Sequence, residues 1–157
     1  MKNKTKINLK KLIISIFLPF IISGIGSIFT SNSISIWYAE LIKPSFNPPN
    51  WIFGPVWTIL YLMIGISFYL IWIKKFDKIT YIIYGIQLLL NGLWTIIFFG
   101  FKSPFYALIE IILLWISILL TIIYFYKINK ISAYLLIPYI LWVSFASILN
   151  FSLFILN

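Results

Sequence analysis

The chain has 157 residues, of which 62% are hydrophobic and 20% aromatic, while only 10% carry charge; its mean hydropathy is +1.06. Soluble domains carry about 25% charged residues, so this composition excludes a soluble globular protein and places the chain in a lipid bilayer. The formal net charge of +9 does not imply a nucleic-acid partner, because the lysines sit in short segments between apolar runs, where no phosphate-tracking surface can form.

Histidine and cysteine are absent, and the acids are Glu40, Asp77 and Glu110. This excludes histidine-bound zinc, a catalytic triad, paired carboxylates, thiol chemistry and the usual ligands of haem iron. No metal site and no cofactor are expected.

In chain order, Lys2, Lys4, Lys6, Lys10 and Lys11 precede the first apolar run, residues 12–29. Its polarity resembles that of a signal peptide, but no small-residue cleavage site follows, so it is read as a retained span; about 20 helical residues cross a hydrocarbon core. Ser23, Gly24, Gly26 and Ser27 read as packing residues within it. Next comes Lys43-Pro-Ser-Phe-Asn-Pro-Pro-Asn-Trp-Ile-Phe-Gly-Pro-Val-Trp57. Pro44, Pro48 and Pro49 each fix φ and remove a donor, which predicts a stiff, extended strap before Trp51. Such a strap resembles a lid over the mouth of a bundle.

The second span, residues 51–73, carries Gly54, Trp57, Tyr61 and Gly65 on one stripe. In the third, 79–101, Gln87, Asn91, Trp94 and Thr95 share a face, while Gly85, Gly92 and Gly100 read as packing positions. The fourth, 103–126, offers Tyr106, Glu110, Ser117 and Thr121; Glu110 lies about two turns from its start, within reach of interfacial water. The fifth, 131–156, repeats Pro138, Trp142, Ala146 and Asn150, with Pro19 and Pro138 as interruptions of spans one and five. Polar side chains in lipid face the bundle interior. The expectation is an all-α integral membrane protein, a single domain over 1–157, whose five-helix bundle has four faces converging on a polar-edged, tryptophan-lined core. The plainer reading of the same stripes is helix-to-helix adhesion through amides and small residues.

Ten lysines (Lys2, Lys4, Lys6, Lys10, Lys11, Lys74, Lys75, Lys78, Lys127 and Lys130) fall on one side of such a bundle and two, Lys43 and Lys102, on the other. The positive-inside rule then puts the N-terminus in the cytoplasm of a cell-membrane protein, with the first loop and the C-terminus outside.

Several strings carry a family resemblance: Trp37-Tyr-Ala-Glu-Leu-Ile-Lys-Pro-Ser-Phe-Asn-Pro-Pro49, Gly54-Pro-Val-Trp-Thr-Ile-Leu-Tyr61, Gln87-Leu-Leu-Leu-Asn-Gly-Leu-Trp94 with Phe98-Phe-Gly100, and Pro138-Tyr-Ile-Leu-Trp-Val-Ser-Phe-Ala-Ser-Ile-Leu-Asn150. Together they resemble the translocator protein family, also called tryptophan-rich sensory protein (TspO/MBR), over nearly the whole chain after its lysine-rich start. The resemblance implies a five-helix bundle, commonly a homodimer, with the first loop covering a pocket at one membrane face. It also implies binding of porphyrins such as protoporphyrin IX; light-dependent porphyrin breakdown and stress sensing have been proposed for bacterial members. By position, the ligand residues are Tyr38, Trp57, Asn91, Trp94, Trp142, Ala146 and Leu149, with Pro48 and Pro49 in the lid. Trp57 and Trp142 are the radical partners if photochemistry occurs.

Animal members also bind cholesterol, through a span-five motif of Tyr followed by a basic residue. Residues 150–157 contain neither, so cholesterol binding is not expected, and the lysine- and isoleucine-rich composition points to a bacterial member. The function expected is a membrane receptor that grips a porphyrin by stacking on Trp57, Trp94 and Trp142, with Asn91 and Tyr38 at its edge. The alternatives are a small-molecule transporter, disfavoured by the odd span count and the absence of a repeat, and a partner-binding membrane protein without a ligand.

Overall fold

The computed structural model describes residues 7–74 and 76–157. Lys2, Lys4, Lys6 and Lys75, which contribute to the expected orientation, lie outside them. The described chain forms α1 (Leu9–Ser33), α2 (Trp37–Glu40), α3 (Asn50–Trp72), α4 (Lys78–Thr95), α5 (Pro104–Ile128), α6 (Lys130–Leu135) and α7 (Ile137–Leu156), with a π-helical turn, Ile96–Gly100, continuing α4. Five units are long and apolar enough to cross a membrane: α1, α3, α4 with its π turn, α5, and α6 with α7. The protein is an all-helical, multi-span membrane protein.

Capping chemistry rather than the edge of the apolar run sets the start of the first span, three residues before the predicted Leu12. The Asn8 side chain accepts from the Lys11 backbone N–H, and Lys11 Nζ donates to the Trp72 carbonyl at 2.9 Å, so a lysine joins the helix and satisfies the C-terminal end of α3. Asp77 caps α4, Ser103 caps α5 with Pro104 in the first turn, and Asn129 caps α6. Hydrogen bonds from Thr80 hold the Asp77 carboxyl below the usual carboxylate range. Pro138, in the first turn of α7, splits the fifth span at Leu136, whereas Pro19 lies inside α1 without ending it, contrary to the sequence expectation. Ser67 and Ser132 exchange hydrogen bonds of 2.8 and 2.6 Å with each other's carbonyls, binding α6 to α3.

The course of α1 decides where space is left. Low in the bundle it lies on α3: a Cβ at Gly65 would come within 2.7 Å of Ile16 Cα and 2.8 Å of the Ser15 carbonyl. One turn further, Phe20 still meets Tyr61 edge-on at 5.8 Å. From there α1 transfers to α4, where a Cβ at Gly92 would meet Ile22, one at Gly26 would meet Thr95, and one at Gly100 would meet Phe29. Ser33 Oγ completes the join by donating to the Phe99 carbonyl at 2.8 Å. At Gly24 of α1 and at Gly54 of α3 a Cβ would meet nothing within 4 Å, and Ser27 and Thr30 of α1 face the same cavity as Gly54 and Trp57 of α3. The upper halves of α1 and α3 have parted.

The Gly65 contact is with backbone, which cannot yield. Gly65→Ala should therefore destabilise the protein by about 1–3 kcal/mol as an overpacked contact. Gly85→Ala, at a position where a Cβ meets nothing within 4 Å, should be neutral or stabilising through helix propensity. Thermal melting in lipid or detergent compares the two; equal melting temperatures would show that α1 does not rest on α3 at this point.

Candidate functional site: an aromatic cavity between five helices

Where α1 and α3 part, they leave a partly open cavity of about 500 Å³, within the roughly 300–1,000 Å³ typical of ligand pockets. The aromatic wall comes from α3, α4 and α7. Trp57 stacks on Tyr61 at 5.2 Å and Trp94 on Phe98 at 5.0 Å, while Trp142 meets Phe53 edge-on at 5.9 Å. Phe98 and Phe99 both turn inward because the π turn widens the helix at that point. Ala146 and Leu149 complete the α7 wall.

The polar side chains of the wall are tied to one another. Tyr61 donates to Asn91 Oδ1 at 2.9 Å, and Asn91 Nδ2 donates to the Tyr139 hydroxyl at 3.0 Å, so one amide joins α3, α4 and α7. Trp94 Nε1 donates to Asn150 Oδ1 at 3.0 Å, and Asn150 Nδ2 donates to the Pro104 carbonyl at 2.8 Å. These bonds fix the orientation of the Trp94 ring and seal the top of α5 to α7.

The segment between α1 and α3 contributes Ile34 and Tyr38 to the lining. Tyr38, from α2, packs between Phe98 and Phe99 at centroid distances of 6.2 and 5.8 Å and donates to Asn47 Oδ1 at 2.9 Å. Burial pushes its phenol above the ordinary value, while the Asn47 bond pulls the other way. The loop is bent rather than extended throughout, because Asn47 N–H donates to the Pro44 carbonyl. Its far side is clasped by Asn157, whose side-chain amide exchanges bonds of 2.9 and 3.1 Å with the Ile42 backbone.

Of the residues singled out in the sequence, Tyr38, Trp57, Asn91, Trp94, Trp142, Ala146 and Leu149 all line this cavity. Pro48 and Pro49 do not; they lie outside the wall, and Asn50 and Phe53 just after them face it instead. Gln87 is buried with both amide atoms unpartnered in the protein, and it is outside the lining. Gly65 is spent on the α1 contact, Pro138 is exposed, and Tyr106 is 63% exposed on the outer face of α5. Glu110 is 5% exposed with neither oxygen bonded by a protein group, so it does not reach interfacial water as expected. Ser117 and Thr121 donate to carbonyls of their own helix.

The sequence reading missed α1. Ser23, Ser27, Thr30 and Ser31 form the wall opposite the tryptophans, although Ser23 and Ser27 read as packing residues. The signal was present, since Ser23, Ser27 and Thr30 fall at i, i+4 and i+7, the spacing of one helical face.

The fold and the cavity define a multi-span membrane protein with an aromatic-walled chamber between its helices. The chain belongs to the TspO/MBR family, whose model matches residues 15–156. It is 47% identical over 152 residues to the tryptophan-rich protein TspO of Archaeoglobus fulgidus, covering 96% of this chain and 99% of that relative. It is 36% identical over 132 residues to the human translocator protein (81% and 78% covered), and 31% identical over 146 residues to the tryptophan-rich sensory protein of Cereibacter sphaeroides (91% and 92% covered).

Removing the Asn91 amide orphans two buried hydroxyls. Asn91→Ala should cost roughly 1–3 kcal/mol for each group left unpaired, whereas Tyr61→Phe, which leaves only Asn91 Oδ1 unfilled, should cost less. Melting temperatures of the two variants check this; a larger loss in Tyr61→Phe would show that Asn91 is not the hub of the network.

Proposed function

We propose that the cavity binds a porphyrin of the protoporphyrin IX type, making the chain a membrane receptor for tetrapyrroles. The observation that carries this reading is the convergence of Trp57, Trp94 and Trp142 on one cavity, because flat aromatic guests are held by stacked and edge-on rings together with apolar burial. The floor supports binding rather than passage: Tyr61, Asn91 and Tyr139 are bonded across it, and beneath them Phe68 and Tyr84 stack at 4.1 Å. In this reading the loop of residues 41–49 serves as the lid, steadied by Asn157 and by Phe46 against Phe145. Light-driven breakdown of a bound ring would draw its oxidising power from the excited ring and oxygen, with Trp57 and Trp142 of the lining as one-electron donors.

The same reading makes residues 1–157 one domain in the cell membrane, with the N-terminus cytoplasmic and the first loop and C-terminus outside. Asn8, Lys10, Lys11, Lys74, Lys78, Lys127 and Lys130 gather at one end of the bundle, where Lys74 Nζ donates to the Ile128 carbonyl. A homodimer is carried by the family resemblance. Ser35, just after α1, and Lys130, at the start of α6, are exposed. Ser35→Cys should react with an impermeant reagent from outside and Lys130→Cys only from the cytoplasmic side; the reverse pattern would invert the topology.

Binding is tested by protoporphyrin IX quenching of tryptophan emission in the dark. An aromatic contact beyond area burial contributes roughly 0.5–1.5 kcal/mol, so Trp142→Phe should weaken binding about two- to twelvefold. Ala146→Leu should weaken it more, because the added side chain occupies the chamber. Trp115 is outside the cavity and donates to Ser144 Oγ at 2.8 Å; Trp115→Phe should lower stability and leave affinity unchanged. Equal affinities in all three variants would place the ligand elsewhere.

A further inference from the structure

The cavity wall carries no charge. Among the described residues, its polar members are serines, threonines, asparagines and tyrosines, with neither lysine nor carboxylate in the lining. Lys43, at the roof, is already engaged: its Nζ donates to the carbonyls of Ala39 and Leu41 at 3.1 and 3.0 Å and lies 4.9 Å from the centroid of the Tyr38 ring. Lys102, the other cation at this end, is exposed on the turn before α5 and is not part of the wall.

Several hydrogen-bond donors of the wall are already engaged by the protein, although the indoles of Trp57 and Trp142 and the side-chain amide of Asn50 face the cavity without a protein acceptor among the described residues. Ser27 donates to the Gly24 carbonyl, Thr30 to Gly26, Ser31 to Ile28 and Thr58 to Gly54, each within its own helix. The amides of Asn91 and Asn150 and the indole of Trp94 donate to protein groups described above. The engaged hydroxyls of α1 and α3 present oxygen lone pairs to the chamber. An ionised carboxylate can accept from the neutral indole and amide donors but finds no cation in the lining to balance its charge. Burying it in these surroundings is strongly unfavourable.

We infer that the cavity selects an uncharged flat ring, and that a porphyrin is bound more tightly when its propionate side chains are neutral than when they are ionised. This inference rests on the porphyrin reading and specifies the charge class of its ligand. The lateral course of α1 reinforces it, because the hydroxyl-bearing face of Ser23, Ser27 and Ser31 stands opposite the exposed Gly54 and Thr58 of α3. An uncharged ring dissolved in the bilayer meets polar atoms there without meeting a counter-ion.

The test compares protoporphyrin IX with its dimethyl ester, using tryptophan quenching in the dark on the full chain in lipid nanodiscs. Each affinity is corrected for partitioning of that ring into protein-free bilayers of the same lipid. At about pH 7.5 the ester should bind at least about tenfold more tightly than the diacid. Acidification towards about pH 4.5, where carboxyls of this type become protonated, should tighten the diacid and leave the ester unchanged. Ser31→Lys, at an exposed position of the rim, should narrow the gap by supplying a counter-ion. A diacid that binds as tightly as the ester at pH 7.5, or a gap that Ser31→Lys leaves untouched, overturns the inference while leaving porphyrin binding intact. Quenching by neither ring overturns the porphyrin reading, and this inference with it.

Discussion

The chamber exists because α1 changes partners. Its first turns press backbone to backbone on Gly65 of α3, an approach open only to a residue without a side chain. Its later turns lie on α4 through Gly26, Gly92 and Gly100. A helix held at its lower end by α3 and along its upper half by α4 cannot also cover the upper half of α3. The space that results is bounded by the hydroxyl face of α1 and the indoles of α3, α4 and α7. Association of helices in lipid depends on close packing at small residues more than on apolar burial, and here the positions of the glycines set the shape of the cavity as well as its stability.

A second constraint keeps that space from collapsing. Buried polar side chains in a bilayer have no water to fall back on, so Asn91, Tyr61 and Tyr139 are committed to one another, and Trp94 is committed to Asn150. Each bond crosses between helices. The residues that read as helix adhesion do two things at once: the amides tie the helices together at a fixed spacing, and the aromatic rings they anchor form the cavity wall. Among the described residues Ser15, Tyr84, Gln87 and Glu110 are the exceptions, with buried polar side-chain atoms that have no protein partner.

Five spans were legible from hydropathy alone, because the physics of crossing a bilayer dominates every other signal in this chain. The ends of the last four spans were legible to within one or two residues as well, because Asp77, Ser103 and Asn129 cap helices where the apolar runs begin; the first was not, since α1 starts at its Asn8 cap among the lysines and runs on to Ser33. The break at Leu136 follows from Pro138, but the uninterrupted passage of α1 through Pro19 shows that a proline in a span does not by itself end it. The tryptophan wall was readable because Trp57, Trp94 and Trp142 lie on the same helical faces as Gly54, Asn91 and Ala146. Small hydroxyl residues fit a packed seam and a cavity wall equally well, so the contribution of Ser23, Ser27, Thr30 and Ser31 depended on where α1 lies relative to α3. The prolines mark the loop correctly, yet it is Tyr38, Asn50 and Phe53 on either side of them that reach the interior.

The central claim is that a flat aromatic guest sits among three particular indoles of the seven in the chain. Fluorine NMR of the protein labelled with fluorotryptophan, with each resonance assigned by single Trp→Phe substitution, reads this directly through the ring current of the guest. On adding protoporphyrin IX dimethyl ester in the dark, the resonances of Trp57, Trp94 and Trp142 should shift together and saturably, while those of Trp51, Trp72 and Trp115 stay in place. Shifts confined to the last three, with the cavity indoles unmoved, would contradict the account.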